Sequence, residues 1–224
     1  MKTQNINDAK RAFTVLELMV VILILVILMG LLFPMPTRSK GKAIRIQCVN
    51  SLKSLGIAFR IWADDNGDLY PMQCRTNDFN GPSFASNKKM FIYFQVMSNE
   101  LSNPKMVVCP GDKKRTVATN FTTDFNSGHV SYFIGADANE TNFNGLLAGD
   151  RNITSGIAPK NGMLEITTNQ VASTNQTVAW TEELHNRAGN VLFADSHVEQ
   201  LTSSKLREAL MRSGMATNRL VFPP

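Results

Sequence analysis

The stretch that decides the fold runs from Lys10 to Phe33 and reads KRAFTVLELMVVILILVILMGLLF. A basic pair precedes the 21 residues Phe13–Phe33, in which Thr14 and Glu17 are the only polar side chains. As a helix this segment would be roughly 31 Å long, which matches the roughly 30 Å hydrocarbon core of a bilayer. The stretch therefore predicts one transmembrane helix.

The charges around this segment predict its orientation. Lys2, Lys10 and Arg11 precede it, and basic residues concentrate on the cytoplasmic side of a membrane. We expect an inner-membrane protein that crosses once, with its N-terminus in the cytoplasm and its C-terminal domain in the periplasm or another extracytoplasmic space. The net charge of +5 is scattered along the chain, so no nucleic-acid partner is expected.

Glu17 is the unusual residue of the apolar segment. A carboxylate inside a hydrophobic run is costly, and such residues commonly mark a functional site with a specific partner. The alternative is an ordinary signal anchor, in which Glu17 lies close enough to the end of the helix to reach the lipid headgroups. The spacing alone leaves both interpretations open.

The order of residues around Glu17 resembles the class III signal of type IV pilins and type II secretion pseudopilins. The shared pattern is a basic pair, Ala12, Phe13, Thr14, two apolar residues, Glu17 and then an unbroken apolar stretch. The resemblance implies that a prepilin peptidase cuts between Ala12 and Phe13 and that Phe13 is then N-methylated. It also implies that Glu17 acts in assembly, by meeting the N-terminal amine of a neighbouring subunit. Ala12 replaces the glycine that usually precedes the cut, whereas Pro34 matches the family's helix proline in its spacing.

This resemblance implies an α+β, pilin-like fold, in which a long N-terminal helix, partly transmembrane and kinked at Pro34 and Pro36, packs on an antiparallel sheet. The domains expected are a cytoplasmic leader (1–12), a transmembrane or filament-core helix (13–33), the second half of the long helix (34–64) and an extracytoplasmic globular domain (65–224). The implied partners are the prepilin peptidase, other pilin or pseudopilin subunits, the inner membrane, and the secretion or pilus assembly machinery.

Helical periodicity resumes beyond Lys40 and ends near Gly67, which fits a helix C-cap. Apolar residues recur there at steps of four and three, which predicts a helix with one buried face. They are Ile44, Cys48, Leu52, Leu55, Phe59 and Trp62.

The end of this helix has one feature of a calcium site. Asp64, Asn66 and Asp68 alternate as in a calcium loop, but Leu69 occupies the position where an EF-hand has glycine. We therefore expect no cofactor, with calcium at this position as the less favoured alternative.

The remaining chain gives weaker signals. Met90–Met97 is apolar and fits either a short helix or a buried strand, while Met106–Cys109 reads as a strand closed by a proline. Residues 190–194 and 197–201 flank Asp195-Ser196 and predict a two-residue hairpin. In that hairpin Val191, Phe193 and Val198 would share one face. Thr202 or Ser203 then caps a short helix that carries Leu206 and Leu210.

A second resemblance lies at this hairpin. His185, nine residues, Asp195, Ser196 and His197 look like the H-x9-DG motif of a large group of pilin-like proteins, with Ser196 in place of glycine. The segments 109–112 (CPGD) and 149–152 (GDRN) also resemble segments of that group. We assign the motif a structural role, with Asp195 capping the turn. The alternative is a zinc site, because His185, Asp195 and His197, with Glu182 or Glu183, are all ligand types.

The chain contains three cysteines, Cys48, Cys74 and Cys109, and an extracytoplasmic domain permits disulfides. Three pairings are possible, and Cys48 also fits a buried free thiol on the apolar helix face. The resemblance to proteins with the C-terminal motif favours a Cys48–Cys109 disulfide, and Cys74–Cys109 remains open.

The hypothesis that these features favour is a prepilin-type subunit, without enzymatic activity or bound metal, of a type IV pilus-like or type II secretion filament. One alternative is a signal-anchored extracytoplasmic domain that binds metal or is an enzyme. The other is a minor pilin that binds DNA or a surface.

Overall fold

The computed structural model describes residues 13–32, 38–74, 89–173 and 177–224. The chain divides into two compact units, Met1–Ser39 and Lys40–Pro224. The predicted leader with Ala12 lies outside the described residues, and so does the predicted kink at Pro34 and Pro36.

The helix of the first unit is α1 (Val15–Leu32), which is apolar on every side. Because no face is more polar than another, its sequence does not direct one side towards a core. Its large apolar side chains from Val15 to Met29 are between 45% and 78% exposed in the single chain. In the part of the protein that the structure describes, no helix combines the length and the apolar character needed to cross a membrane.

The second unit is an antiparallel sheet with helices on both faces. Five α-helices and eight strands follow one another along the described residues from Arg38 onwards: α2 (Arg38–Asp65), α3 (Phe91–Val96), α4 (Ser98–Leu101), β1 (Tyr132–Gly135), β2 (Leu146–Asp150), β3 (Ile153–Thr154), β4 (Met163–Thr167), α5 (Thr168–Ala172), β5 (Ala179–Trp180), β6 (Ala188–Phe193), β7 (Val198–Thr202), α6 (Ser203–Arg212) and β8 (Thr217–Val221). The main sheet has the order β4-β8-β1-β2-β6-β7, and β3 pairs with β5 separately. The predicted α+β class, with an N-terminal helix on an antiparallel sheet, is confirmed.

The sheet separates two hydrophobic clusters because successive side chains of a strand point to opposite faces. Tyr132 and Ile134 of β1 belong to the cluster shared with α2, whereas Phe133 between them belongs to the cluster shared with α6. On β6, Leu192 faces α2 and Phe193 faces the α6 side. The sheet is thus buried on both faces.

Five of the six residues predicted for the apolar stripe of α2 are buried, and Ile44 is half-buried. Cys48, Leu52, Leu55 and Phe59 have no exposed surface, and Trp62 is 8% exposed. Their spacing keeps them on one side of the helix, and the sheet covers that side.

The C-terminus of α2 has the predicted glycine cap. Gly67 has φ of +69°, and the amide of Asp68 donates to the carbonyl of Ala63 at 2.9 Å, as in a Schellman motif. The side chain of Asn66, one of the three alternating residues at this position, donates to the carbonyl of Trp62.

The predicted strand at Met106–Cys109 is wrong, because Pro104–Val107 form a 3₁₀ helix. Pro104 sits at the first helical position, where its missing N–H costs nothing, and the side chain of Asn103 accepts from the amide of Lys105. Of the two options left open for Met90–Met97, the structure has the short helix, α3.

The predicted register of the β6–β7 hairpin is also wrong. The amide of Ser196 donates to the carbonyl of Phe193, and Ser196 itself has a φ of +70°. The connection between the two strands therefore has three residues instead of two. The extra residue pairs Val198 with Leu192 instead of Phe193. Since a shift by one residue moves a side chain to the other face, Val198 packs on the α2 side and not with Val191.

Candidate functional site

Glu17 forms a capping box at the start of α1. The amide and the hydroxyl of Thr14 donate to Glu17 Oε2 at 2.9 and 3.0 Å, and the amide of Glu17 donates to Thr14 Oγ1 at 3.2 Å. These bonds satisfy backbone donors that a helix N-terminus leaves without partners. The T-x-x-E spacing is the sequence signal from which this cap could have been predicted.

The capping bonds use one of the two carboxylate oxygens. In the described ranges, Oε1 of Glu17 accepts no hydrogen bond, and the residue is exposed. An ionised carboxylate has acceptor sites on both oxygens. Glu17 therefore caps its own helix and keeps one oxygen available for a donor from outside the chain.

Asp195, Ser196 and His197 form the hairpin turn. Asp195 Oδ1 accepts from the amide of His197 at 3.1 Å and also contacts His197 Nδ1. The His197 ring stacks on Phe193 with centroids 4.4 Å apart, and its Nε2 lies 3.1 Å from Glu199. The turn packs closely against α2 at Gly56. A Cβ added to Gly56 would lie only 3.3 Å from the Cβ of Ser196.

His185 lies in a different place, beside a buried disulfide. The structure links Cys48 of α2 to Cys109, with Cα atoms 5.3 Å apart, and Cys74 is not part of this disulfide. His185 Nε2 lies 3.3 Å from Cys109 Sγ, and the His185 side chain is only 4% exposed. A Cβ added to Gly111 would lie only 3.3 Å from the His185 imidazole. The lack of a side chain at Gly111 therefore lets the backbone pass close to the ring.

Asp150, at the end of β2, faces the same nitrogen of His185. Its Oδ2 lies 3.5 Å from His185 Nε2 and accepts from the backbone and the side-chain amide of Asn190 at 2.7 and 2.8 Å. Burial raises the pKa of Asp150 to about 7, although the Asn190 bonds act in the opposite direction. Burial, together with the charge of Arg45, lowers the pKa of His185 to about 4. The imidazole is therefore neutral at physiological pH, and the contact is not an ion pair.

The loop that carries His185 is held from both sides. His185, Asn186 and Arg187 all have φ between 50° and 61°, an uncommon conformation for three successive non-glycine residues. Asn152 Nδ2 donates to the carbonyls of Thr181, Leu184 and Ala188. Arg45 of α2 donates to the carbonyl of His185. These side chains compensate for the irregular backbone by satisfying its carbonyl groups.

An ionic network lies next to this cluster. Arg151 donates to both oxygens of Asp112 at 2.7 and 2.9 Å and to Glu183 at 2.6 Å, and Lys114 lies 2.8 Å from Glu183. Burial alone would raise the pKa of Asp112, but the bonds and the charge of Arg151 hold it below the usual range. The bond from Arg151 likewise lowers the pKa of Glu183. The network ties residues 112–114 to the 149–152 segment and to the His185 loop.

The structure thus brings together three segments that are far apart in the sequence: 109–112, 149–152 and 182–185. It does not bring His185 together with Asp195 and His197. Within the described residues, the one group of three or more metal-ligand side chains with donor atoms within 4.8 Å of one another consists of Cys48, Cys109 and His185. Sequence reasoning missed Asp150 as a neighbour of His185. The available signal was the resemblance of the 149–152 segment to a segment of pilin-like proteins.

A comparison with protein-family models matches residues 7–33 to the prokaryotic N-terminal methylation motif. This is the signal of type IV pilins and pseudopilins. It supports a pilin-like or pseudopilin subunit, suggests membrane anchoring, and implies processing by prepilin peptidase and assembly with other subunits. The helix α2 on an antiparallel sheet is consistent with a pilin-like fold. No curated protein and no solved structure matches the chain.

Proposed function

We propose that the protein is a prepilin-type subunit of a type IV pilus-like or type II secretion filament. The observation that carries this proposal is the methylation motif at residues 7–33. The prepilin is inserted in the inner membrane with its N-terminus in the cytoplasm, cut between Ala12 and Phe13, and methylated at Phe13. The domain that follows remains extracytoplasmic, and the protein has a structural role without enzymatic activity.

The exposure of α1 supports assembly. A helix whose apolar side chains are about half or more exposed in the single chain gains stability by transfer to lipid or to a bundle of like helices. In the assembled state α1 lies in the filament core, and the globular domain (65–224) lies outside it.

The geometry of Glu17 supports its role in assembly. Its Oε2 is engaged by Thr14, and its Oε1 accepts no bond from the described residues. The N-terminal amine of Phe13 in a neighbouring subunit supplies both a donor and an opposite charge. Such a pair compensates for the burial of each charge, which is penalised when it is alone.

The first test is the intact mass and N-terminal sequence of the protein purified from its native membrane. The expected chain begins at N-methyl-Phe13. A chain that still begins at Met1 would show a permanent signal anchor and would exclude prepilin processing.

Variants of the capping box separate its two roles. Glu17→Gln keeps an oxygen for the cap but removes the charge, whereas Thr14→Ala removes the capping hydroxyl and keeps the charge. We expect Glu17→Gln to abolish filament assembly and Thr14→Ala to preserve most of it, as counted by electron microscopy of sheared filaments. Normal filaments from Glu17→Gln would show that Glu17 is a helix cap and nothing more.

A further inference from the structure

We propose that Cys48, Cys109, His185 and Asp150 form a zinc site when the Cys48–Cys109 disulfide is reduced. The candidate donor atoms of Cys48, Cys109 and His185 lie within 4.8 Å of one another. Two thiolates, an imidazole and a carboxylate are ligands that zinc takes in four-coordinate sites. This inference is independent of filament assembly.

The geometry points to Asp150 as the fourth ligand. Its Oδ2 lies 3.5 Å from Nε2 of His185, the same nitrogen that faces Cys109 Sγ at 3.3 Å. Both contacts are made to Nε2, which is therefore the metal donor. The Asp150 oxygens are not part of the group whose donor atoms all lie within 4.8 Å of one another, so Asp150 completes the site when its carboxylate moves towards the two sulfur atoms.

An independent observation is the unpaired oxygen of Asp150. The residue is completely buried, and its Oδ1 has no hydrogen-bond partner among the described residues. A buried acceptor without a partner is costly, and a bound cation offsets that cost. Asn190 donates to Oδ2 through its backbone amide and its side-chain amide. These two bonds orient the carboxylate, as hydrogen bonds to a metal ligand from neighbouring residues commonly do.

The elements that carry the ligands are already fixed in place. Arg45 and Asn152 hold the His185 loop, and the Asp112–Arg151 pair connects the Cys109 segment with the end of β2. Reduction of the disulfide therefore leaves the four side chains as neighbours, because their positions do not depend on the S–S bond alone. The two sulfur atoms have to separate, and the Asp150 carboxylate has to approach them.

The disulfide and the zinc site exclude each other, since both use the same sulfur atoms. A dithiol reductant transfers two electrons and two protons to the disulfide, which gives two thiols, while the reductant becomes a disulfide. Zinc then binds as the two thiols lose their protons. Either form cross-links α2 to the segment after the 3₁₀ helix. Zinc would thus hold the domain together before the disulfide has formed, or after it has been reduced.

The test uses the full chain in mild detergent, prepared as the disulfide and as the dithiol after anaerobic reduction and removal of the reductant. Zinc is added, unbound metal is removed, and zinc per chain is measured by plasma mass spectrometry. We expect one zinc ion per reduced chain and none in the oxidised chain. Cobalt(II) in place of zinc should give thiolate-to-metal charge-transfer bands and the visible bands of a tetrahedral site.

Variants assign the ligands. His185→Gln and Asp150→Asn should weaken zinc binding by at least about tenfold, since loss of an outer-shell partner alone costs this much. Cys74→Ser and His129→Gln remove the same residue types outside the cluster and should leave binding unchanged. The proposal is overturned if reduced and oxidised chains take up equal zinc, if binding depends on Cys74, or if the cobalt complex of the wild-type protein lacks thiolate bands. That last readout does not depend on the folding of any variant.

Discussion

α1 and α2 are successive helices of the chain, but they differ in whether the single chain buries their apolar side chains. Those of α1 from Val15 to Met29 are exposed on every side in the single chain, whereas α2 buries one stripe against the sheet and leaves Ile46, Ile57 and Ile61 exposed. Contacts within the chain therefore stabilise α2, and contacts outside it must stabilise α1. Under the proposed function, these outside contacts are lipid before assembly and other subunits after it.

Acidic residues in the two regions also differ in their exposure and in their hydrogen-bond partners. Glu17 of α1 is exposed and keeps an oxygen free, while Asp112, near α2, is buried and bonded to Arg151. An exposed group can exchange one partner for another, but a buried one cannot lose its partner without a penalty. We therefore expect changes near α2 to alter the stability of the domain, and changes in α1 to alter assembly.

The largest expected effect is loss of the disulfide that joins α2 to the Cys109 segment. It closes a loop with a sequence separation of 61, for which chain entropy predicts about 4 kcal/mol of stabilisation. The double variant Cys48→Ser, Cys109→Ser should lower the free energy of unfolding by about this amount in urea titrations with a chelator present. Cys74→Ser is the control, and an equal loss from it would contradict the pairing.

A leucine pair tests the comparison directly. Leu52→Ala in α2 removes a completely buried side chain and should destabilise the domain by about 3 kcal/mol. Leu23→Ala in α1 removes one that is 60% exposed and should change the same unfolding free energy by less than about 0.5 kcal/mol. The fluorescence of Trp62 and Trp180 reports on both variants. Equal destabilisation would show that α1 is also part of the folded core.

Asp112→Asn should cost about 2 kcal/mol near pH 7, because it removes the charge bonded to Arg151. The pKa of Asp112 is depressed in the folded chain. Its contribution is therefore complete above the unfolded pKa of about 4 and is lost as the pH falls below that value towards the folded pKa.

Urea titrations of Asp112→Asn and wild type from pH 7 to pH 3 check this sign. Their difference in unfolding free energy should shrink below about pH 4. A difference that stays constant down to pH 3 would mean that the Asp112 charge contributes nothing. Asp64→Asn, at the exposed end of α2, is the control and should match wild type throughout.

The smallest expected effect is at Ser196, beneath Gly56 of α2. A left-handed conformation costs a non-glycine residue roughly 1–2 kcal/mol, so Ser196→Gly should stabilise the domain by up to about 1 kcal/mol. Ser196→Ala removes the hydroxyl without relieving the backbone and should not stabilise. If both variants behave alike, the side chain and not φ decides the energy at this turn.

Three features of the fold that depend on local patterns were predicted correctly. The stripe of α2, the glycine cap at Gly67 and the helix after Thr202 all depend on residues within a few positions of one another. The hairpin was found at the right place but with the wrong register, because two- and three-residue turns differ by one residue and both suit Asp195-Ser196. Only the packing of Val198 against the α2 side distinguishes them.

The sequence by itself determined the long helices α1 and α2 and the N-terminal signal, because an apolar run, a basic pair and Glu17 act through spacing along one helix. The tertiary structure alone decided that Cys109, Asp150 and His185 meet, and that His185 is separate from His197. The reason is that contacts between distant segments depend on strand order and loop path, which no local periodicity encodes. The conformation of the His185 loop in turn depends on partners from α2 and from the segment after β2.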